Sequence, residues 1–341
     1  MKIRRTGSIL ALALLGVLSA VDAGVATRSA HATVPGNNGK IAFRRYFDDG
    51  HTWGAIFVSN ADGTGAQQIT HPERGVLDDQ PDWSPGGSLL VFYRCSSTAP
   101  VPCAVYTVKP DGTRLKRLSM PAAKAKADDS TASFTPDGRH IAFTRASGGV
   151  RSYPGGEQIA HSDVVVMDLN GKHRRVVIRA GLYRGDYEFA MFSPSGSQFV
   201  YEYRKSYFAD PQSPRALFVS SADGKHRKRI TPWSMNAGDN PDWSPDGSRI
   251  LFRSNDDEDE RTQSQIYTIR PDGTDLQQVT DFPNGTIIGS SSFSPDGSAI
   301  VLGKADAGAI ADVFVMQADG TDIRPVTQSA LWDAAPDWGS G

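Results

Sequence analysis

Acidic residues recur in this chain where they could act together: Asp78 and Asp79, Asp128 and Asp129, Glu188, Asp239 and Asp333. Carboxylates gathered from separate segments can do two kinds of chemistry. They can supply the oxygen ligands that Ca²⁺ takes in flexible geometry. They can also draw in a cationic segment of a partner. A third reading is internal. Bases recur as regularly, at Arg45, Arg94, Arg145, Arg204, Arg253 and Lys304. They would pair with the acids if the intervening chain folds back as a hairpin. The residue types leave all three readings open.

Other residues suit contact rather than catalysis. Trp53, Tyr153, Tyr183, Tyr207, Phe208, Trp233 and Trp332 fall in the segments between apolar runs. Aromatics there favour protein or sugar contact, with packing between repeats as the competing use. His51, His71 and His161 could hold a transition metal only if the fold brought them together. The run Asp256 to Glu260 reads as a solvated loop. Cys95 and Cys103 are the only cysteines and are expected to form a disulfide at the base of a loop. Gly-x-Ser-x-Gly, His-Glu-x-x-His, the phosphate-binding loop and the dinucleotide fingerprint do not occur.

The elements that must position these residues are announced by a repeat. Pro81-Asp82-Trp83-Ser84-Pro85-Gly86-Gly87 and Pro241-Asp242-Trp243-Ser244-Pro245-Asp246-Gly247 are its clearest copies. Looser ones centre on Phe134, Phe192 and Phe293, and a sixth begins at Pro336-Asp337-Trp338. The six aromatic anchors are spaced by 51, 58, 51, 50 and 45 residues. Each repeat reads as four short strands, with a Ser-Pro-Asp-Gly type turn after the first and an Asp-Gly or Asn-Gly hairpin before the last. The second half of the sixth copy stands at the other end of the chain, at Asn38-Gly39-Lys40-Ile41-Ala42-Phe43. A repeat begun at one end and finished at the other closes a ring. The expected fold is therefore all-β: a six-bladed β-propeller of four-stranded blades, with one blade shared between the N- and C-terminal segments. In such a ring the acids converge on one mouth of the central channel. The long loops, 145–162, 204–215 and 254–264, lie on that same face.

Pro-Asp-Trp-Ser-Pro-Asp-Gly, an apolar strand and an Asp-Gly hairpin together resemble the repeat of the TolB family of WD-like propellers, over roughly residues 37–341. The resemblance implies a propeller, and a face comparable to the one that binds the peptidoglycan-associated lipoprotein in that family. The α/β domain that precedes the propeller in true TolB proteins is not expected here, since the first blade is read as starting almost directly after the leader.

Composition fits export. Lys2, Arg4 and Arg5 precede an apolar run from Ile9 to Val21, the pattern of a secretory leader. Cleavage after Ala32 would divide the chain into a leader, 1–32, and a propeller, 33–341. The whole chain has a formal charge of −2, and the leader carries +3 from Lys2, Arg4, Arg5, Arg28 and Asp22, so the mature charge would be −2 − 3 = −5. Neither a nucleic-acid footprint nor a membrane span is expected. The functional expectation is a non-catalytic scaffold, periplasmic or extracellular and monomeric, that needs no cofactor. Its partner is expected to be an envelope or extracellular protein or peptide, a glycan being the other ligand class. Its binding residues are expected among Asp78, Asp79, Asp129, Glu188, Asp239, Asp333, Tyr153, Tyr207, Phe208 and Trp233. The alternative is a propeller enzyme, of glycan lyase, hydrolase or lactonase type, with a metal such as Ca²⁺ at the channel mouth.

Overall fold

A computed structural model describes residues 35–97, 102–121, 127–153, 156–179, 186–204, 214–255 and 264–341. The expected leader, Tyr183, Tyr207, Phe208 and the run 256–260 lie outside these residues.

The described strands fall into six sets of four. Blade 1 joins β24 (Asp333–Ser340) to β1 (Asn38–Tyr46), β2 (Gly54–Ser59) and β3 (Gln67–Gln68). Blade 2 runs β4 (Val76–Trp83), β5 (Leu90–Ser96), β6 (Ala104–Val108), β7 (Lys116–Arg117). Blade 3 runs β8 (Asp128–Phe134), β9 (His140–Tyr153), β10 (Gly156–Asp168), β11 (Arg175–Ile178). Blade 4 runs β12 (Asp186–Phe192), β13 (Gln198–Arg204), β14 (Arg215–Ser221), β15 (Lys228–Arg229). Blade 5 runs β16 (Ala237–Trp243), β17 (Ile250–Asn255), β18 (Ser264–Ile269), β19 (Gln277–Gln278). Blade 6 runs β20 (Ile287–Phe293), β21 (Ala299–Ala305), β22 (Asp312–Gln317), β23 (Arg324–Pro325).

Closure occurs where the split repeat placed it. β1 pairs antiparallel with β24, Ile41 opposite Trp338 and Arg45 opposite Asp333. The Gly341 amide donates to the Asn37 carbonyl at 2.9 Å. The core gives an independent count. Six buried clusters lie between successive blades, and one of them packs Ile41, Phe43 and Phe57 of blade 1 against Val301, Val313 and Val315 of blade 6. An open row of six blades has five junctions; only a ring has six.

Small residues make the blades fit. The hairpin glycines take left-handed φ, +78° at Gly224 and +87° at Gly320. A Cβ on either would stand 2.1 Å from a carbonyl oxygen of the preceding blade, Val177 or Val279. Both the dihedral and the close approach therefore demand glycine. The polar residue after each outer strand has a partner too. The hydroxyls of Thr70, Ser119, Thr231, Thr280 and Thr327 each accept from a third-strand amide of the same blade, at 2.8–3.0 Å.

Cys95 and Cys103 are disulfide-bonded, with Cα atoms 4.3 Å apart. The bridge closes the segment between β5 and β6 and suits an oxidising compartment. For a loop of this length, loop-closure entropy is worth about 2–3 kcal/mol. A Cys95→Ser/Cys103→Ser variant is expected to lose that much in denaturant unfolding. A loss below 0.5 kcal/mol would mean that blade packing alone holds this segment in place.

Candidate functional site

The first strands of the six blades, β4, β8, β12, β16, β20 and β24, surround a narrow central channel whose cavity is about 50 Å³. Each of these strands departs from regular pairing about three residues before its aromatic anchor. In five of them the residue at the bulge is not glycine yet has left-handed φ: Gln80, Thr131, Phe189, Asn240 and Ala335, at 45–55°. All five line the channel. Such backbone costs on the order of 1 kcal/mol or more per residue, and it turns side chains and peptide groups toward the axis.

Acid–arginine pairs tie the start of the inner strand to the end of the second strand in three blades. Arg45 meets Asp333 with two hydrogen bonds, at 2.6 and 2.7 Å. Arg94 meets Asp78 at 2.5 and 2.7 Å, and Arg145 meets Asp129 at 2.7 and 2.7 Å. Each guanidinium also lies over an aromatic ring: Phe57 for Arg45, Tyr106 for Arg94 and Phe143 for Arg145. Hairpin register places strand start beside strand end, so each pair forms within its own blade. Asp79 is held differently, across the junction of blades 1 and 2. It is ion-paired to Arg44 and accepts the Tyr93 hydroxyl at 2.9 Å. In blade 4, Glu202 lies 3.6 Å from Arg215, both deeply buried. Burial and the neighbouring Glu188 push the Glu202 carboxyl up to about 7, with burial the larger cause. Asp128, beside Asp129, accepts the Cys103 amide at 2.8 Å.

The remaining expected residues belong to several elements. Glu188 is half-buried on β12, opposite Glu202. Asp239 lies on β16 and Tyr153 at the end of β9. Trp233 packs against Tyr203 and Phe218 of its own blade, and Arg229 stacks on it. Trp53 meets Phe47 edge-on, and Trp332 packs on His51. Among the described residues, no three His, Cys, Asp or Glu side chains are grouped to hold a metal ion. A roomier pocket of 680 Å³ opens on the opposite face, between blades 5 and 6, beside Pro35 and Gly36.

The aspartate of the Pro-Asp-Trp motif has a task that reading the motif as a turn signal did not reveal. Asp82 accepts the amide of Phe134, Asp242 that of Phe293 and Asp337 that of Trp83, at 2.7–2.8 Å. Each carboxylate thus fastens its blade to the anchor of the next. Ser292 donates to both Asp242 and Asp337. The signal was present in sequence as an Asp directly before Trp in three copies, but its acceptor role needs the neighbouring blade to be in place.

These carboxyls face one another across the channel. Burial holds the Asp82 carboxyl well above the usual range, and the charges of Asp337 and Asp242 add to the effect. Burial also raises Asp337. A raised carboxyl binds its proton more tightly in the folded state. Its contribution to stability is complete below about pH 4 and is lost as pH rises through the folded value. Asp82→Asn keeps an oxygen for the Phe134 amide but cannot ionise. The variant is expected to melt higher than the parent by a margin that opens as pH climbs from 4 to 8. A margin independent of pH would show that ionisation at this position carries no cost.

The TolB beta propeller domain matches residues 157–339. The dipeptidyl-peptidase 5 of Porphyromonas endodontalis is 35% identical over 109 residues, which is 32% of this chain and 15% of that protein. The chain thus spans only a small part of that curated relative. Among solved structures, TolB from Acinetobacter baumannii superposes with a TM-score of 0.66 at 17% identity, covering 90% of this chain and 68% of that one. A TolB-like protein from Agrobacterium tumefaciens superposes at 0.58 with 19% identity, covering 85% and 88%. At these identities the structural likeness establishes the fold alone.

Proposed function

This chain belongs to the TolB β-propeller domain family, and on that premise we propose that it is an exported scaffold that binds a protein or peptide segment at the loop-rich mouth of its channel. The observation that carries this reading is the set of strained bulges. Five inner strands hold non-glycine residues in left-handed backbone, all facing one axis. Strain repeated at one position is retained where several blades must present groups to a common ligand. The acid–arginine pairs between inner and second strands keep that frame rigid, so a ligand would find it organised in advance. The leader pattern and the disulfide support export.

Gln80→Gly/Asn240→Gly tests the reading. Glycine accepts the same φ, so the backbone is kept while two channel-facing side chains are removed. A partner crosslinked to the mature chain, 33–341, and identified by mass spectrometry should be lost from this variant. It should be retained by Asp319→Ala on the turn face. Equal capture by all three proteins would overturn the reading. The competing enzyme reading requires a metal at the mouth. It would show itself as a melting temperature that falls with chelator and recovers with Ca²⁺.

A further inference from the structure

The outer edge of the ring is polarised. From the hairpin Asp or Asn, seven residues lead through the edge strand of every blade. Their formal charge is +2, +3 and +3 on blades 2, 3 and 4, but −1, −1 and −2 on blades 1, 6 and 5. The contrast is positional. Where blades 1 and 5 carry Gln67–Gln68 and Gln277–Gln278, blades 2 and 4 carry Lys116–Arg117 and Lys228–Arg229, and blade 3 has Arg174–Arg175 beside its edge. All six bases are exposed. The left-handed hairpin position changes sign in the same way, from Arg114 on blade 2 to Asp275 and Asp322 on blades 5 and 6.

Edge protection does not account for this. An edge strand needs a polar or charged side chain to deter pairing, and the glutamines of blades 1 and 5 meet that need without charge. Nor are the bases spent on acids. Among the described residues, none of the six makes an ion pair with a carboxylate. Arg117 donates to Ser119 O, Arg174 to Leu118 O across the junction of blades 2 and 3, and Lys228 to Asp272 O of blade 5. The Arg117 and Arg174 contacts bring the basic groups of neighbouring blades together, so the positive surface continues from blade to blade.

We propose that this arc of blades 2, 3 and 4 binds a linear anionic polysaccharide, separately from the channel mouth. Shape decides between polyanions. In a six-bladed ring each edge is turned by about 60° from the last, so three edges form a convex band. A flat anionic membrane would meet one edge while the others recede by roughly a Debye length. A flexible strand can follow all three and gain from their linkage. Guanidinium groups suit carboxylate recognition. A glycan polyanion, rather than a nucleic acid, is what an exported protein meets.

Labelled alginate, a linear polyuronate, is the probe, and fluorescence anisotropy the readout. The pairs would be changed to the glutamines that blades 1 and 5 already carry: Lys116→Gln/Arg117→Gln, Arg174→Gln/Arg175→Gln and Lys228→Gln/Arg229→Gln. Each pair is expected to weaken binding about tenfold, and the three together at least a hundredfold, with unchanged melting temperature because the side chains are exposed. Raising NaCl from about 50 to 200 mM should weaken the parent as well. A trisaccharide, too short to span two edges, should bind at least tenfold more weakly than the polymer. Arg324→Gln on blade 6 should change nothing. Equal alginate affinity in the parent and the sixfold variant would overturn the proposal. So would tight binding to phosphatidylglycerol vesicles with none to alginate.

Discussion

Deletion of residues 333–341 is expected to abolish cooperative unfolding of the entire ring, not merely to loosen one blade. The nine residues contain β24, the inner strand of blade 1. Their loss takes Trp338 from the junction of blades 1 and 6, where it is 5% exposed. A cavity of that size alone costs about 3–5 kcal/mol. It also takes Asp337 from the Trp83 amide and Asp333 from Arg45, and it leaves the β1 ladder open. Together these are comparable to the roughly 5–15 kcal/mol by which a domain is stable. The companion experiment keeps the β1–β24 ladder and moves the break. A permutant joining 341 to 38 by a short linker, with new ends between Ala307 and Gly308 in an exposed turn, is expected to melt within a few degrees of the parent. A truncated chain that still melts cooperatively, or a permutant that cannot fold, would contradict closure as the source of stability.

Asp79→Ala is expected to cost about 3–5 kcal/mol, the second largest effect. Asp79 is 4% exposed and neutralises Arg44, whose side chain is 12% exposed. It also accepts the Tyr93 hydroxyl and the Gln80 amide. Removing the carboxylate strands a buried cation at the junction of blades 1 and 2. In the parent, burial first and Asp79 second hold the phenol of Tyr93 well above its usual range. Removing both charges, in Arg44→Met/Asp79→Leu, should recover most of the loss, since two apolar side chains need no partner. Thermal melts of the three proteins decide the matter. An Asp79→Ala variant as stable as the parent would mean that Asp79 is free for a ligand, with Arg44 satisfied elsewhere.

What could be read from the chain followed from local rules. The Asp-Gly hairpins, the apolar second strands and the polar stop after each outer strand are set by turn dihedrals and side-chain period, which act within a few residues. Ring closure was also legible, because a repeat divided between the ends can be completed only by bringing the ends together. The disulfide followed from two cysteines at the base of one loop. The six aromatic anchors were legible, but the aspartate before Trp83, Trp243 and Trp338 was legible only as part of a motif. Its partner is an amide on the next blade, 52 residues away for Asp82, 51 for Asp242 and 254 for Asp337, and local sequence cannot orient that blade.

The acids show the same division. Their types and spacing led to the expectation of a place at the mouth, with pairing, partner and metal all open and pairing favoured by the matching bases. The fold supplied register, and register set Asp78 against Arg94 and Asp333 against Arg45 while sending Asp79 across a junction to Arg44. The basic arc has the same origin. The charges of the outer-strand segments can be counted along the chain, but only the fold sets those of blades 2, 3 and 4 side by side on one exposed edge. The sequence by itself determined the strands, the turns and the closed circle, because those depend on contacts a few residues apart or on the identity of the two ends. Which charges face one another was decided by tertiary structure alone, because electrostatic energy depends on distances through space that a linear order does not contain.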